Sequence, residues 1–300
     1  HGSPHGSGSQ KSNLHRLRAP NLIIAADAVG SRLPGTLFLQ MLRTVHATRY
    51  VLPMREGGSL PAIVEADDLG LYVVKFRGAG QGALALVAEL IAGEMGRALG
   101  LRVPEIVFAK VDPTLGRNEP DYEIRQLLQA SAGLNLALDY LPGSVMFDPA
   151  ARDAVPEDEA SLAVWLDAFT MNVDRTAKNA NLLVWHRKIY LIDHGAALYF
   201  HHDWNNRMTK ADAPFKEMAG HVLLPWATKI AEAGAAARAK LTSTVMGAIV
   251  DAVPDAWLED TKAEISAGER RKGYMEFFAR RLQAAPIFEK EAMVSHARLV

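Results

Sequence analysis

The chain has 300 residues, 49% of them apolar and 22% charged, with a formal net charge of -1 and no cysteine. That is enough chain for one large or two small domains with a full hydrophobic core. The composition excludes disulfides and cysteine-held metals, and it provides no global basic field to hold nucleic acid.

Residues 1–40 open on HGSPHGSGSQKS, rich in Gly, Ser and His and without hydrophobic period. They read as a disordered leader or an appended tail. Residues 22–29 are the nearest thing to a signal sequence, but the run is short and carries Asp27. No apolar run approaches the roughly 20 residues of a membrane helix, so a cytoplasmic location is expected and no membrane partner. From Met41 the chain becomes regular. Residues 48–52 are β-rich, and Glu56-Gly57-Gly58-Ser59-Leu60-Pro61 is a turn-forming break. Residues 62–66 form a second strand, Asp67-Asp68-Leu69-Gly70 a hairpin turn, and 71–76 (LYVVKF) a third strand. After a loose loop at 78–82, Leu84, Val87, Ile91, Met95 and Ala98 recur at helical spacing as far as Gly100, a C-terminal stop. Pro104 leads into the strand EIVFAKV. Residues 121–129 suit a helix, and 135–140 a strand before Pro142-Gly143.

The second half changes character. Pro156 followed by Glu157, Asp158 and Glu159 starts a helix, its acids on the positive end of the dipole. Leu162, Trp165, Leu166 and Phe169 give it a buried stripe. A loop, a strand, a turn and a strand follow over 172–195, and from Phe215 onward the pattern is mostly helical. Trp165, Trp185 and Trp226 read as core. Arg270 and Arg271 read as part of a solvated helix face.

The chemistry concentrates in NVDRTAKNANLLVWHRKIYLIDHG, residues 172–195. Asp174 stands five residues before Asn179, and Asp193 follows after a short apolar run. One acid can take the proton of an attacking hydroxyl, while the amide and the second acid can hold Mg²⁺ bridging phosphates. Upstream, Lys75 sits in an apolar strand. A mid-strand lysine ordinarily faces solvent, but between Val74 and Phe76 it also suits a phosphate-gripping role.

Val74-Lys75-Phe76, Glu89 ahead of LIAGEMGRALGLRVP, Asn172-Val173-Asp174-Arg175 with Asn179, and Ile192-Asp193-His194-Gly195 together resemble the HipA-like kinase family of the protein-kinase-like superfamily. The resemblance spans about residues 45–202. It implies an α+β, two-lobed kinase-like fold, with a β-rich N-lobe at 41–142 and a mainly helical C-lobe at 143–300. It implies an ATP- and Mg²⁺-dependent phosphotransferase. Lys75 would contact the phosphates, Asp174 would act as base or orient the hydroxyl, and Asn179 and Asp193 would bind Mg²⁺. Asp139, Tyr140 and Leu141 would meet adenine through backbone groups. Glu89 matches the family's partner for Lys75, and Glu94, nearer the apolar stripe, is the alternative. The acceptor is a hydroxyl, on a protein Ser or Thr or on a small molecule.

Departures from ordinary protein kinases are plain. His194 replaces the Phe of Asp-Phe-Gly, and Asn172 replaces the His of His-Arg-Asp. There is no G-x-G-x-x-G, so Gly57, Gly58 and Ser59 form the candidate phosphate loop, with an ordinary hairpin turn as the alternative. The competing readings are a pseudokinase that binds nucleotide or a partner without turnover, and a metal hydrolase using His194, His201, His202 and Asp203. The second is weak, because the adjacent His201 and His202 diverge on regular structure and no HExxH is present. Lys75→Ala and Asp193→Asn are each expected to weaken Mg-ATP binding or turnover and leave the melt nearly unchanged.

Overall fold

The computed structural model describes residues 42–54, 60–117, 119–151, 155–259 and 264–299. The expectations for residues 1–40 and for Gly57, Gly58 and Ser59 lie outside the described residues.

Five strands close into a barrel: β1 (Thr44–Pro53), β2 (Ala62–Ala66), β3 (Leu71–Lys75), β4 (Ile106–Val111) and β5 (Gly133–Asp139), in the order β1-β2-β3-β5-β4. Neighbours are antiparallel except β1 and β4, whose parallel pairing of Thr44 with Phe108 completes the ring. The β2–β3 turn is the expected one. Leu69 takes φ 65°, the Ala66 amide donates to Gly70 O at 3.0 Å, and the Gly70 amide donates to Asp68 Oδ1 at 2.9 Å.

Alternation along the strands sorts two cores. Val64, Tyr72, Val74, Phe76, Val107 and Ala137 fill the barrel, together with Ile124 and Leu128 of α2 (Tyr122–Ala130). Ile106, Leu136 and Leu138 face the other way, onto α1 (Gly82–Leu99). Lys75 shares this second face. Its apolar neighbours Val74 and Phe76 point into the barrel, so they are not its surroundings. Gly100 ends α1 at φ 93°, a backbone angle that suits glycine. Asp121 caps α2 by accepting from the Glu123 amide at 2.9 Å.

The rest of the chain is mainly helical: α3 (Glu157–Thr170), α4 (Arg207–Ala211), α5 (Ile230–Lys240), α6 (Ser243–Asp251), α7 (Asp255–Leu258), α8 (Ala267–Gln283) and α9 (Ala285–Ala297). A small antiparallel sheet joins β6 (Val145–Met146), β7 (Leu182–Trp185) and β8 (Lys188–Leu191). His186 and Arg187, both at positive φ (48° and 61°), make the tight turn between β7 and β8. No helix among the described residues is long and apolar enough to cross a membrane.

Helix α3 is buried almost all round. Trp165 stacks on Phe169 at 5.1 Å between ring centres, and Leu162 is only partly covered. Of the three tryptophans read as core, only Trp165 is fully buried. Trp185 is half-buried and donates to Pro142 O at 3.0 Å, and Trp226, half-buried, packs against the core in a T-shaped contact with Phe147. The reading of Arg270 and Arg271 as a solvated face is overturned. Arg270 is buried beneath the Trp204 ring, 4.9 Å from its centre. Arg271 donates to Val253 O and to Asp255 at the start of α7. Aromatic faces and orphan helix carbonyls attract guanidinium groups for reasons a one-dimensional charge count misses.

Candidate active site

Three elements distant in sequence meet at one ammonium. Lys75, at the end of β3, donates to Glu89 Oε2 of α1 and to Asp193 Oδ1, both at 2.6 Å. The Glu89 side chain has no exposure and Lys75 retains 12%, whereas Asp193 is 46% exposed. Burial works against the charge on Lys75, but Glu89 and Asp193 overcome it and hold the ammonium above its ordinary range. Burial likewise works against the Glu89 carboxylate, yet Lys75 and then His194 bring it down to about 2. Glu94 does not reach the site. It pairs with Arg97 at 3.2 Å on another part of α1, and burial raises its carboxyl. Glu89 is therefore the residue that meets Lys75.

The loop after α3 is anchored by an acid that the sequence reading did not single out. Met171 closes α3 in the left-handed region at φ 56°, and the chain turns back beneath the helix. There Asp167, with no exposure, accepts from Asn172 Nδ2 at 3.0 Å, Arg175 Nε at 2.6 Å and His221 Nε2 at 2.8 Å. Burial opposes its charge, but Arg175 and His221 hold the carboxyl well below the carboxylate range. His221 accepts the Leu223 amide on Nδ1, at 3.1 Å, so its hydrogen lies on Nε2, toward Asp167. Burial pushes this imidazole below its ordinary value. Asp167 sits at an inward helix position that the buried stripe marks as apolar. His221 lies 54 residues away, where no local pattern points to it.

Arg175 then ties the loop to the Asp193 turn. Its Nη1 donates to the carbonyl of Asn181, and to that of Ile192 at 3.1 Å. The Ile192 amide returns to Asn181 O at 3.0 Å. The residue after Asp174 is thereby bonded to the residue before Asp193. Asn181 Nδ2 donates to Asp174 O at 3.2 Å, and Asn179 Nδ2 to Asp174 Oδ2 at 2.8 Å. These bonds leave Asn179 Oδ1, Asp174 Oδ1 and Asp193 Oδ2 without a hydrogen-bond partner among the described residues. Asp193 (φ 52°) and Asn181 (φ 48°) hold left-handed backbone, which short polar side chains tolerate best after glycine.

The 139–141 segment continues β5. The amides of Asp139 and Tyr140 are committed to Glu105 O at 2.8 Å and Leu71 O at 2.9 Å. Among the described residues, the Leu141 amide has no backbone partner, which makes it the donor this segment can offer a ligand. Of the histidines raised by the hydrolase reading, His201 and His202 lie ring to ring, 4.5 Å between centres, rather than diverging, but among the described residues they form no metal-binding group with His194. His201 is buried against the Tyr274 hydroxyl at 3.1 Å, and burial lowers it to about 3. His194 packs against α1, beside Glu89. No group of three or more His, Cys, Asp or Glu suited to a metal forms among the described residues.

The sequence profile described as HipA-like kinase matches residues 48–284, most of the chain and well beyond the 45–202 carried by the motifs. The chain belongs to the HipA-like kinase family. As a HipA-like kinase it is a phosphotransferase, with the α+β, two-lobed kinase-like fold. A Helicobacter pylori proinflammatory kinase, CtkA, shares this fold with a TM-score of 0.55 at 12% identity, covering 86% of this chain and 99% of that one. The Golgi casein kinase aligns at TM-score 0.43, and its Mn/ADP-bound form at 0.42, each at 11% identity over 83% of this chain and 73% of theirs. Those two scores are too low to support a structural argument. No curated protein sequence matches this HipA-like kinase.

Proposed function

We propose that this HipA-like kinase transfers the γ-phosphoryl group of ATP, with Mg²⁺, to a hydroxyl, the acceptor being a Ser or Thr of a protein. The observation that carries the reading is Lys75 meeting Glu89 and Asp193 at once, across 118 residues of sequence. In this reading residues 41–142 form the N-lobe and 143–300 the C-lobe, with the nucleotide between them and the Leu141 amide toward adenine. Lys75 grips phosphate oxygens, and Glu89 aims it. Asp174, with Oδ2 held by Asn179, turns Oδ1 to the acceptor hydroxyl and takes its proton or orients it.

The donor set fits a hard cation. Asn179 Oδ1 and Asp193 Oδ2 are oxygens, and two protein ligands are what a Mg²⁺ shared with phosphates calls for. An ion held there would supply charge neutralisation for the phosphates. The protein's own part is positioning and charge placement, which dominate catalysis in this reaction class.

The test is transfer from radiolabelled Mg-ATP, by autophosphorylation and on a panel of protein and small-molecule acceptors, for wild type, Asp174→Ala and Asp193→Ala. Asp174→Ala is expected to bind Mg-ATP and lose transfer by about 10²-fold or more. Asp193→Ala is expected to lose Mg-ATP affinity as well. A folded wild type that binds Mg-ATP tightly and transfers to nothing on the panel would sink the proposal and favour a nucleotide-binding module. Transfer confined to small alcohols would move the acceptor class.

A further inference from the structure

His194 is fully buried, at the position where ordinary protein kinases carry Phe. Its ring lies against α1 with Nδ1 3.4 Å from Glu89 Oε1. Gly93, one turn after Glu89, makes room for Ile106 rather than for His194. A Cβ there would stand 2.6 Å from Ile106 Cδ1 and 3.8 Å from His194 Nδ1. Glu89 is ionised and can only accept, so Nδ1 carries the hydrogen. Nε2 has no hydrogen-bond partner among the described residues, so the bond to Glu89 is the one polar contact of the ring. The two oxygens of Glu89 are thus divided, Oε2 to Lys75 at 2.6 Å and Oε1 to His194.

We propose that His194 is a positioning residue for phosphoryl transfer: its Nδ1–H bond to Glu89 latches the Asp193 turn to α1, so that Lys75, Glu89 and Asp193 move as one unit. The turn needs such a latch. Asp193 is half-exposed in left-handed backbone, and its side chain is held by Lys75 alone among the described residues. A conformation of that kind persists only where its surroundings over-determine it. A Phe would fill the same space but give no direction. The imidazole adds a directed contact to a charged acceptor, long at 3.4 Å, with both partners out of water.

The kinetic arm of the test rests on the phosphotransfer reading; the other arms do not. The variants are His194→Phe, which keeps a ring and removes the donor, and His194→Asn, which is smaller but places an amide N–H near Nδ1. In nucleotide-free protein, hydrogen exchange of the amides at 194–197 is expected to rise about tenfold in His194→Phe and to stay near wild type in His194→Asn. With Mg-ATP, kcat of His194→Phe is expected to fall about tenfold with little change in KM, and His194→Asn to retain most of it. A space-filling role predicts the reverse order, because Asn leaves a void. That order, or a His194→Phe protein indistinguishable from wild type, overturns the proposal. Nitrogen-15 NMR of the wild-type imidazole is a check that needs no folded variant. Hydrogen on Nδ1 and none on Nε2 is expected, and the opposite tautomer refutes the latch. A wild type without any transfer defeats the kinase reading, and exchange and NMR then still decide the role of His194.

Discussion

Lys75→Met should cost the protein stability as well as turnover. The substitution strips the ammonium from a carboxylate with no exposure. Lys75 and His194 hold Glu89 near 2 against an ordinary 4.5. At ~1.4 kcal/mol per pH unit, that gap is worth about 3 kcal/mol at neutral pH. Removing one partner of a buried ion pair costs about 3–5 kcal/mol by a separate line of evidence. The low end applies here, because His194 still donates to Glu89. The assay is urea unfolding followed by tryptophan fluorescence, comparing wild type, Lys75→Met, Glu89→Gln and the double variant. Lys75→Met is expected to lose about 3 kcal/mol at pH 7, and the double variant to regain a large part, since neither charge is left buried alone. The sign with pH follows from the lowered carboxyl. The contribution of Glu89 is complete above pH 4.5 and fades as pH falls toward 2, so the difference between wild type and Lys75→Met should shrink in that window. Equal stability of the two at pH 7, or a double variant no better than Lys75→Met, would show that the Lys75–Glu89 pair does not carry this stability. The expectation that Lys75→Ala leaves the melt unchanged is revised for the same reason. Asp193→Asn, at a half-exposed side chain, should still melt near wild type.

Asp167→Asn keeps the shape and removes the charge that neutralises a buried Arg175. A loss of about 3 kcal/mol is expected in urea unfolding, together with reduced transfer, because Arg175 also holds the carbonyls of Asn181 and Ile192. Full stability in this variant would mean that Asp167 is no anchor. Gly234→Ala tests the core far from the cleft. The added Cβ would fall 2.1 Å from Glu289 Oε1 and 2.9 Å from Trp165 Nε1, where Trp165 donates to Glu289 at 2.7 Å. Overpacking of about 1–3 kcal/mol is expected, read as a lower melting temperature with no change in the transfer rate of the folded protein.

Some of this molecule was legible from local pattern. The strands near 62–66 and 71–76, the hairpin turn at 67–70, the α1 stripe stopped by Gly100, and the acid-rich start of α3 all obey rules that act over a few residues. The spacing of Asp174, Asn179 and Asp193 was legible for the same reason, since loop chemistry leaves polar residues at the ends of short apolar runs. Trp185 and the Arg270–Arg271 face were misread because burial belongs to a packed surface, and only neighbours from other elements determine it, whereas Trp226 does pack against the core. The choice between Glu89 and Glu94 could not be made on a helical wheel. Both are buried on α1, and the Lys75 side chain reaches only Glu89.

From sequence alone came the kind of most elements and a family resemblance that points to a kinase. Periodicity, capping and donor type are written into neighbouring residues. Tertiary structure decided the partners: Glu89 for Lys75, Asp167 and His221 beneath the Asp174 loop, and His194 against α1. These pairings join residues up to 105 positions apart. They exist because burying a charge is costly unless an opposite charge or a hydrogen bond arrives with it, and only the closed fold brings those groups within reach.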